Sequence, residues 1–324
     1  MPQPYDLKAI LLEKIAANGG FVNCHAHLDK AFLINEQNLL QSQIDMEAKW
    51  HLYKELKRGY TTEDLRARMR EGMNRMVAQQ VKYVRSFVDI DSTVELNCLE
   101  AALDIKKEFA GKCELIIVSQ TLEGVLQPES RTWIEQAAPL VDVIGGLPSY
   151  DRPRAAEHLD IVFGLAKQYG KQVDVHIDQE NNPDEKDTEL LAKKVIEHGL
   201  HGRVNAVHAI SLSAQSEDYF QHVLKLMVEA KLNVITCPSA ALGMKQLRAK
   251  TGPVHNSIAR VPEFLAAGLT VAIGTDNIHD FFQPFIDGDM YTEARMLMEA
   301  CRMYQLDDLV NVCSSNGLQL CQSL

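Results

Sequence analysis

Long apolar runs, basic clusters, paired cysteines and a glycine-rich phosphate loop are all missing from this chain of 324 residues, and each absence excludes a class of function. No apolar stretch reaches the roughly 18 residues that a membrane span needs. The N-terminal stretch MPQPYDLKAILLEKIAANGG is amphipathic and broken by Glu13 and Lys14, which is not the pattern of a secretory signal. A cytoplasmic protein is therefore expected. The net charge of -11, with no run of Lys and Arg set against it, repels a phosphate backbone and an anionic membrane surface, so neither nucleic acid nor membrane is an expected partner. Seven cysteines without CxxC spacing form no disulfide framework. They read as small core residues in a reducing compartment, with Cys98, Cys113, Cys301, Cys313 and Cys321 inert. There is also no internal repeat, low-complexity tract or linker.

What is present is the balance of a globular protein with ample core, 46% hydrophobic and 24% charged residues. Short β-branched runs recur at Phe21–Cys24, Tyr83–Ile90, Leu115–Ser119, Val141–Ile144, Val173–Ile177, Val204–Ala209, Leu232–Thr236 and Thr270–Gly274. Segments of helical period separate them, among them Leu99–Phe109, Ala155–Gln168, Glu189–Glu197, Gln221–Ala230 and Val261–Ala267. An eightfold β-α alternation closes most naturally into a TIM barrel, and about 250 residues suffice for one. The expected architecture is thus an α/β (β/α)8 barrel in one domain, residues 1–324. The doubly wound open sheet is disfavoured because no phosphate fingerprint follows the first strand. Two connections stand out. Residues 31–80 are mostly polar and helical, with Thr61-Thr62-Glu63-Asp64 as a helix start. This insertion is expected to cover the barrel mouth or to make a subunit contact. Cys237–Ser257 has no clear period, and long irregular loops are usually functional, so it reads as a substrate loop.

Histidine marks the strand ends: His25 and His27 after GFVNC, His176 in QVDVHID and His208 in NAVHAIS, with Asp276 in VAIGTD. Side chains two apart on a strand share a face, so His25 and His27 point at one ion while Cys24 and Ala26 face the other way. In a barrel the carboxyl ends of strands one, five, six and eight converge over one mouth. His25, His27 and His176 then offer imidazole nitrogens and Asp276 a carboxylate oxygen to one zinc or ferrous ion, with a position left for water. His208 is either a further ligand or the partner of that water. Around the mouth, Lys30 is either substrate-facing or a solvated lysine. Asp178 and Gln179, which follow a ligand, and Gln120 after strand three, are candidates for hydrogen bonds to a polar heterocycle. Phe281, Phe282 and Phe285 form either an apolar wall for a ring or a core or dimer patch.

The segments HAHLDK (25–30), VRSFVDID (84–91), VDVHID (173–178), AVHAIS (206–211) and RVPEFLAAGLTVAIGTDN (260–277) resemble the amidohydrolase superfamily, specifically its cytosine deaminase-like branch. The resemblance runs in order from about Phe21 to the last helix. It implies one divalent metal, zinc or iron, that activates water for attack on an sp² carbon bearing nitrogen. The family's ligands carry over to His25, His27, His176 and Asp276, and its water-polarising histidine to His208. Asp276 is implied as the group that takes the water's proton and returns it to the leaving nitrogen. Strand four ends in Ile144-Gly145-Gly146-Leu147, without the lysine or glutamate that bridges two metals, which implies a mononuclear centre. Three departures follow. Gln179 stands where cytosine deaminases carry a proton-shuttling glutamate, and an amide cannot shuttle a proton. The usual GHDD is Gly274-Thr275-Asp276-Asn277. The accessory β-sandwich that most members build from their termini is expected to be missing. The functional expectation is hydrolysis of a C–N bond, by deamination, N-dealkylation or amide opening, in a small polar, cyclic substrate, with Asp276, His208 and Gln179 in the catalytic machinery and Lys30, Gln120 and Asp178 holding substrate. The alternative is a non-catalytic small-molecule-binding pseudoenzyme of the same fold. A homo-oligomer is compatible with either.

Overall fold

The computed structural model describes residues 5–244, 247, 249–250 and 258–324. Eight parallel strands alternate with helices: β1 (Val22–Ala26), β2 (Tyr83–Asp89), β3 (Glu114–Gln120), β4 (Ile144–Gly146), β5 (Val173–Ile177), β6 (Val204–His208), β7 (Asn233–Thr236) and β8 (Val271–Ile273). They form two ladders, β1-β2-β3 and β4-β5-β6-β7-β8. Two parallel bridges join the ladders, Val118 to Val143 between β3 and β4, and Ala26 to Asp276 between β8 and β1. The order therefore closes on itself, as a barrel requires. Glycine sits at both seams. A Cβ on Gly145 would run into the Ser119 carbonyl, and one on Gly274 would lie 2.6 Å from the His25 Cβ. Only glycine lets these backbones come so near, and at the second seam Asp276 N–H donates to the His25 carbonyl at 2.9 Å.

The helices are α1 (Leu7–Ala17), α2 (Met46–Lys57), α3 (Thr62–Ala78), α4 (Asn97–Phe109), α5 (Pro128–Ala137), α6 (Ala155–Tyr169), α7 (Asp187–His198), α8 (Glu217–Ala230), α9 (Pro238–Gly243), α10 (Val261–Ala266), α11 (Met290–Ala300), α12 (Leu306–Cys313) and α13 (Ser315–Gln322). None is long and apolar enough to cross a membrane. The apolar stripe of α3, Leu65, Met69, Met73 and Met76, is buried at helical spacing, and Thr61 caps its start by accepting from Asp64 N–H at 3.1 Å. The 31–80 segment thus holds two helices with different duties. α3 packs beside α4 in the outer ring, whereas α2, capped by Asp45 (Ala48 N–H, 2.9 Å), sends Met46 and Trp50 into the wall of the mouth pocket.

Two expectations need correction. The fourth strand begins at Ile144 rather than Val141, because Asp142 spends its carboxylate on Ile117 N–H (2.7 Å) and Lys106 (2.6 Å), leaving only Val143 bridged. Cys237–Ser257 does not start as an irregular loop, since Pro238–Gly243 is helical; residues 245, 246, 248 and 251–257 lie outside the described residues.

Inside the barrel, one layer is apolar, with Val22, Phe87, Val118, Val143, Val207, Ile235 and Ala272 in one cluster. Cys24 belongs to it too, rather than facing away from His25 as expected. The β1 register slips between Asn23 and Ala26, and such a bulge lets Cys24 and His25 both turn inward. Below this layer Arg85, fully buried, is met by Asp174 at 2.6 and 3.1 Å.

Candidate metal centre

Above the apolar layer the strand ends bring His25, His27, His176 and Asp276 together. His27 Nε2 lies 3.2 Å from His25 Nε2 and 3.3 Å from His176 Nε2. Asp276 Oδ1 lies 3.3 Å from both His25 Nε2 and His27 Nε2. All four side chains are buried, and the Phe87 ring supports them from below at 5.0, 5.4 and 4.4 Å from His25, His27 and His176. Burial lowers the pKa of His25 and of His176, the latter further by its histidine neighbours, which favours the neutral form of these two rings. Burial pushes Asp276 upward, but hydrogen bonds from His25 and His27 more than reverse this and hold it ionised. Neutral imidazole nitrogens facing one another at van der Waals distance cannot all donate and accept. Among the described residues no acceptor receives the Nδ1 of His25, His27 or His176 either. Ligand nitrogens at about 2.05 Å from a tetrahedral ion stand roughly 3.3 Å apart. The separations here are those of a site made to share a cation.

His208 reaches this group by a local break. Val207 faces the interior, so alternation would send His208 to the helix layer, but a φ of 78° at His208 turns it inward. Its Nε2 stands 3.9 Å from Asp276 Oδ2, and burial drops its pKa to about 3. It also groups with His25 and His176 as a possible ligand. The two Asp276 oxygens are therefore distinct: Oδ1 faces the imidazole pair and Oδ2 faces His208.

His27, His176 and Asp276 floor a pocket walled by Lys30, Gln120, Leu122, Leu147, Gln179, Asn277 and Phe282 and covered by Met46 and Trp50 of α2. Asp276 is the sole carboxylate among the described lining residues. Gln120 Oε1 is buried there without a partner. Lys30 is in the wall but is not a solvated lysine. It is 1% exposed and donates to Asp89 at 2.7 Å and to Asp29 at 3.2 Å. Lys57 of α2 completes this buried network against Asp91 and Asp89, its charge sustained by those carboxylates against the cost of burial. Asp178, expected to meet substrate, is absent from the described pocket lining. A φ of 47° swings it out of the barrel, where it accepts from Asp187 N–H (3.0 Å), Thr188 N–H (3.1 Å) and Thr188 Oγ1 (2.5 Å) at the start of α7. Burial and the charge of Glu185 raise its pKa to about 7. The three phenylalanines part company: Phe281 is core, Phe282 lines the pocket and Phe285 is 82% exposed. Trp50, Met46 and Phe87 went unread as site residues in the sequence, and Leu147 at the end of strand four and Leu122 were not read as pocket walls. Phe87 alone left a signal, as the inward neighbour of Asp89 on VRSFVDID.

A closed parallel barrel whose carboxyl mouth gathers buried imidazoles and a carboxylate around one point is the architecture of a metal-dependent hydrolase. The chain belongs to the amidohydrolase family, whose family model matches residues 43–320. It is 36% identical over 262 residues to an uncharacterized protein of Haemophilus influenzae, covering 80% of this chain and 95% of that one. It is 28% identical over 296 residues to the N-isopropylammelide isopropyl amidohydrolase of Pseudomonas sp., covering 88% of this chain and 68% of the relative. Among solved structures, the 5-methylcytosine deaminase of Klebsiella pneumoniae liganded with 5-fluorocytosine superimposes with a TM-score of 0.86 at 27% identity, over 94% of this chain and 74% of that one. Family and relatives make this chain a hydrolase acting on carbon–nitrogen bonds other than peptide bonds.

Proposed function

We propose that the chain hydrolyses a C–N bond in a small, planar, polar heterocycle, at a single zinc or iron ion held by His25, His27, His176 and Asp276. The observation that carries this reading is His27 Nε2, which stands 3.2–3.3 Å from His25 Nε2, His176 Nε2 and Asp276 Oδ1, with His25 Nε2 also 3.3 Å from Asp276 Oδ1, an arrangement that costs free energy unless a cation is shared. A bound divalent ion supplies the Lewis acidity that lets water attack near neutral pH. The residues supply the rest. Asp276 Oδ2, unencumbered by the imidazole pair, accepts the attacking water's proton and passes it to the departing nitrogen. His208, neutral at any working pH, orients the water through Nε2. Trp50, Phe282, Leu122 and Leu147 exclude solvent and bracket a flat ring, while Gln120 and Gln179 offer it amides.

The lack of a second carboxylate in the described lining favours one kind of chemistry. A hydrolysis that must protonate a ring nitrogen as water attacks needs an acid that Gln179 cannot be, whereas an amide or N-alkylamine hydrolysis in which the ring nitrogen needs no proton moves one proton, from water to the leaving nitrogen. Asp276 alone suffices for that. The test is a screen of metal-loaded protein against alkylaminotriazines, aminopyrimidines, pterins and cyclic amides for released amine, ammonia or ring-opened product. Release of an exocyclic amine by wild type but not by Asp276→Asn supports the reading. Binding of these compounds without turnover of any favours the pseudoenzyme.

A further inference from the structure

Four residues beyond Asp276, the buried Asp280 carboxylate gathers four donors. Its Oδ1 accepts from the N–H groups of Phe282 and Gln283, both at 2.9 Å. Its Oδ2 accepts from the Tyr53 hydroxyl at 2.6 Å and from Asn277 Nδ2 at 2.5 Å. Tyr53 belongs to α2 and is fully buried. Phe281 N–H donates to its oxygen at 3.2 Å, and its ring stacks on Phe282, 4.6 Å between centroids and 9° between planes. Asn277 and Phe282 are the two members of this cluster that line the pocket.

A primary amide has one donating and one accepting end, and it is the donating end of Asn277 that meets Asp280 Oδ2. With Asn277 Nδ2 committed to Asp280, Asn277 Oδ1 is left as an acceptor on the pocket wall, and no described residue donates to it. A ligand that covers this oxygen without offering a hydrogen pays for an unpaired acceptor, roughly tenfold in affinity. We infer that Asp280 and Tyr53 are positioning residues that lock the Asn277 amide with its carbonyl toward the pocket, so that the site selects heterocycles presenting an N–H or amino donor at that edge. The substrate half of this inference rests on the heterocycle-hydrolase reading; the clamp itself does not. Tyr53 has a double hold, on Asn277 through Asp280 and on Phe282 through its ring, so α2 sets the pocket's polar and flat walls together.

The clamp is read in ligand-free, metal-loaded protein labelled with 15N at asparagine. One Asn277 side-chain proton, assigned by its loss in Asn277→Ala, should resonate downfield of solvated amides and exchange slowly, and both properties should collapse in Asp280→Asn. A wild-type signal like that of a solvated amide overturns the clamp, whatever the enzyme's reaction. Selection is read by calorimetry with cytosine, 1-methylcytosine and 3-methylcytosine. One methylated probe should bind wild type about tenfold more weakly than cytosine, and about threefold or less more weakly than cytosine in Asn277→Ala and Asp280→Asn. Tyr53→Phe, which keeps the stack and removes one donor, should shrink the penalty part of the way and serves if Asp280→Asn does not fold. An undiminished penalty in these variants overturns the positioning role. Failure of cytosine to bind wild type overturns the donor-edge substrate while the amide signal still decides the clamp.

Discussion

Removing the metal should lower the melting temperature by an amount that can be worked out beforehand. A ligand that binds only the folded chain, present at a thousandfold excess over its dissociation constant, stabilises by about 4.1 kcal/mol. Unfolding entropy near the midpoint is about 2.1 cal/mol/K per residue, so for the 324 residues of this chain it is about 0.68 kcal/mol/K. The quotient is a shift of about 6 °C. Calorimetric scans of protein with and without chelator, alongside elemental analysis, measure it. The side-chain geometry makes the result residue-specific. His176 Nε2 is one of the nitrogens packed at 3.3 Å, so His176→Ala should lose both the ion and the chelator-sensitive shift. His208 Nε2 is 3.9 Å from Asp276 Oδ2, so His208→Ala should keep most of the ion and the shift while losing turnover. Equal metal loss in the two variants would make His208 a ligand. About two tightly held ions per chain, or none after reconstitution, would refute the mononuclear set itself.

Other expectations follow from single contacts. Gln179→Ala should mainly weaken substrate binding, by about 1 kcal/mol for one lost hydrogen bond, whereas Gln179→Glu should raise aminopyrimidine deamination by restoring an acid; steady-state kinetics separate the two. Lys57→Met leaves Asp91 and Asp89 buried opposite an apolar side chain and should cost about 3–5 kcal/mol in denaturant unfolding, with a loss of less than about 1 kcal/mol counting against the network's role in pinning α2. Glu293, 1% exposed, has its pKa raised by burial from 4.5 to about 8. In metal-free protein the folded state therefore keeps a proton that the unfolded chain gives up. Its contribution to stability is full below about pH 4.5 and declines by about 1.4 kcal/mol per unit until it is gone above about pH 8. Glu293→Gln should match wild type in acid and exceed it increasingly up to pH 8; a difference independent of pH would mean that Glu293 is ionised throughout.

Periodicity in the sequence was enough to place the strands and the barrel, because buried parallel strands write short β-branched runs and each helix writes its own stripe. Strand-end histidines singled out the residues that the fold gathers into the candidate centre, since a barrel brings its strand ends together however far apart they lie in the chain. Single dihedral angles decided what alternation could not. His208 and Asp178 both follow inward-reading strands, yet positive φ values turn the first into the centre and the second away to cap α7. The slip in the β1 register likewise turned His25 inward beside Cys24, which follows Val22 by alternation. The pocket's upper wall was not legible either. Trp50 and Tyr53 sit on a helix that reads as polar, and only the buried pairing of Lys57 with Asp91 and of Tyr53 with Asp280 across the mouth brings them over the site. Periodicity reports which face of an element is buried. It does not report which partner that face meets, because the partner's charge and shape come from other elements, 34 positions away for Asp91 against Lys57 and 227 for Asp280 against Tyr53.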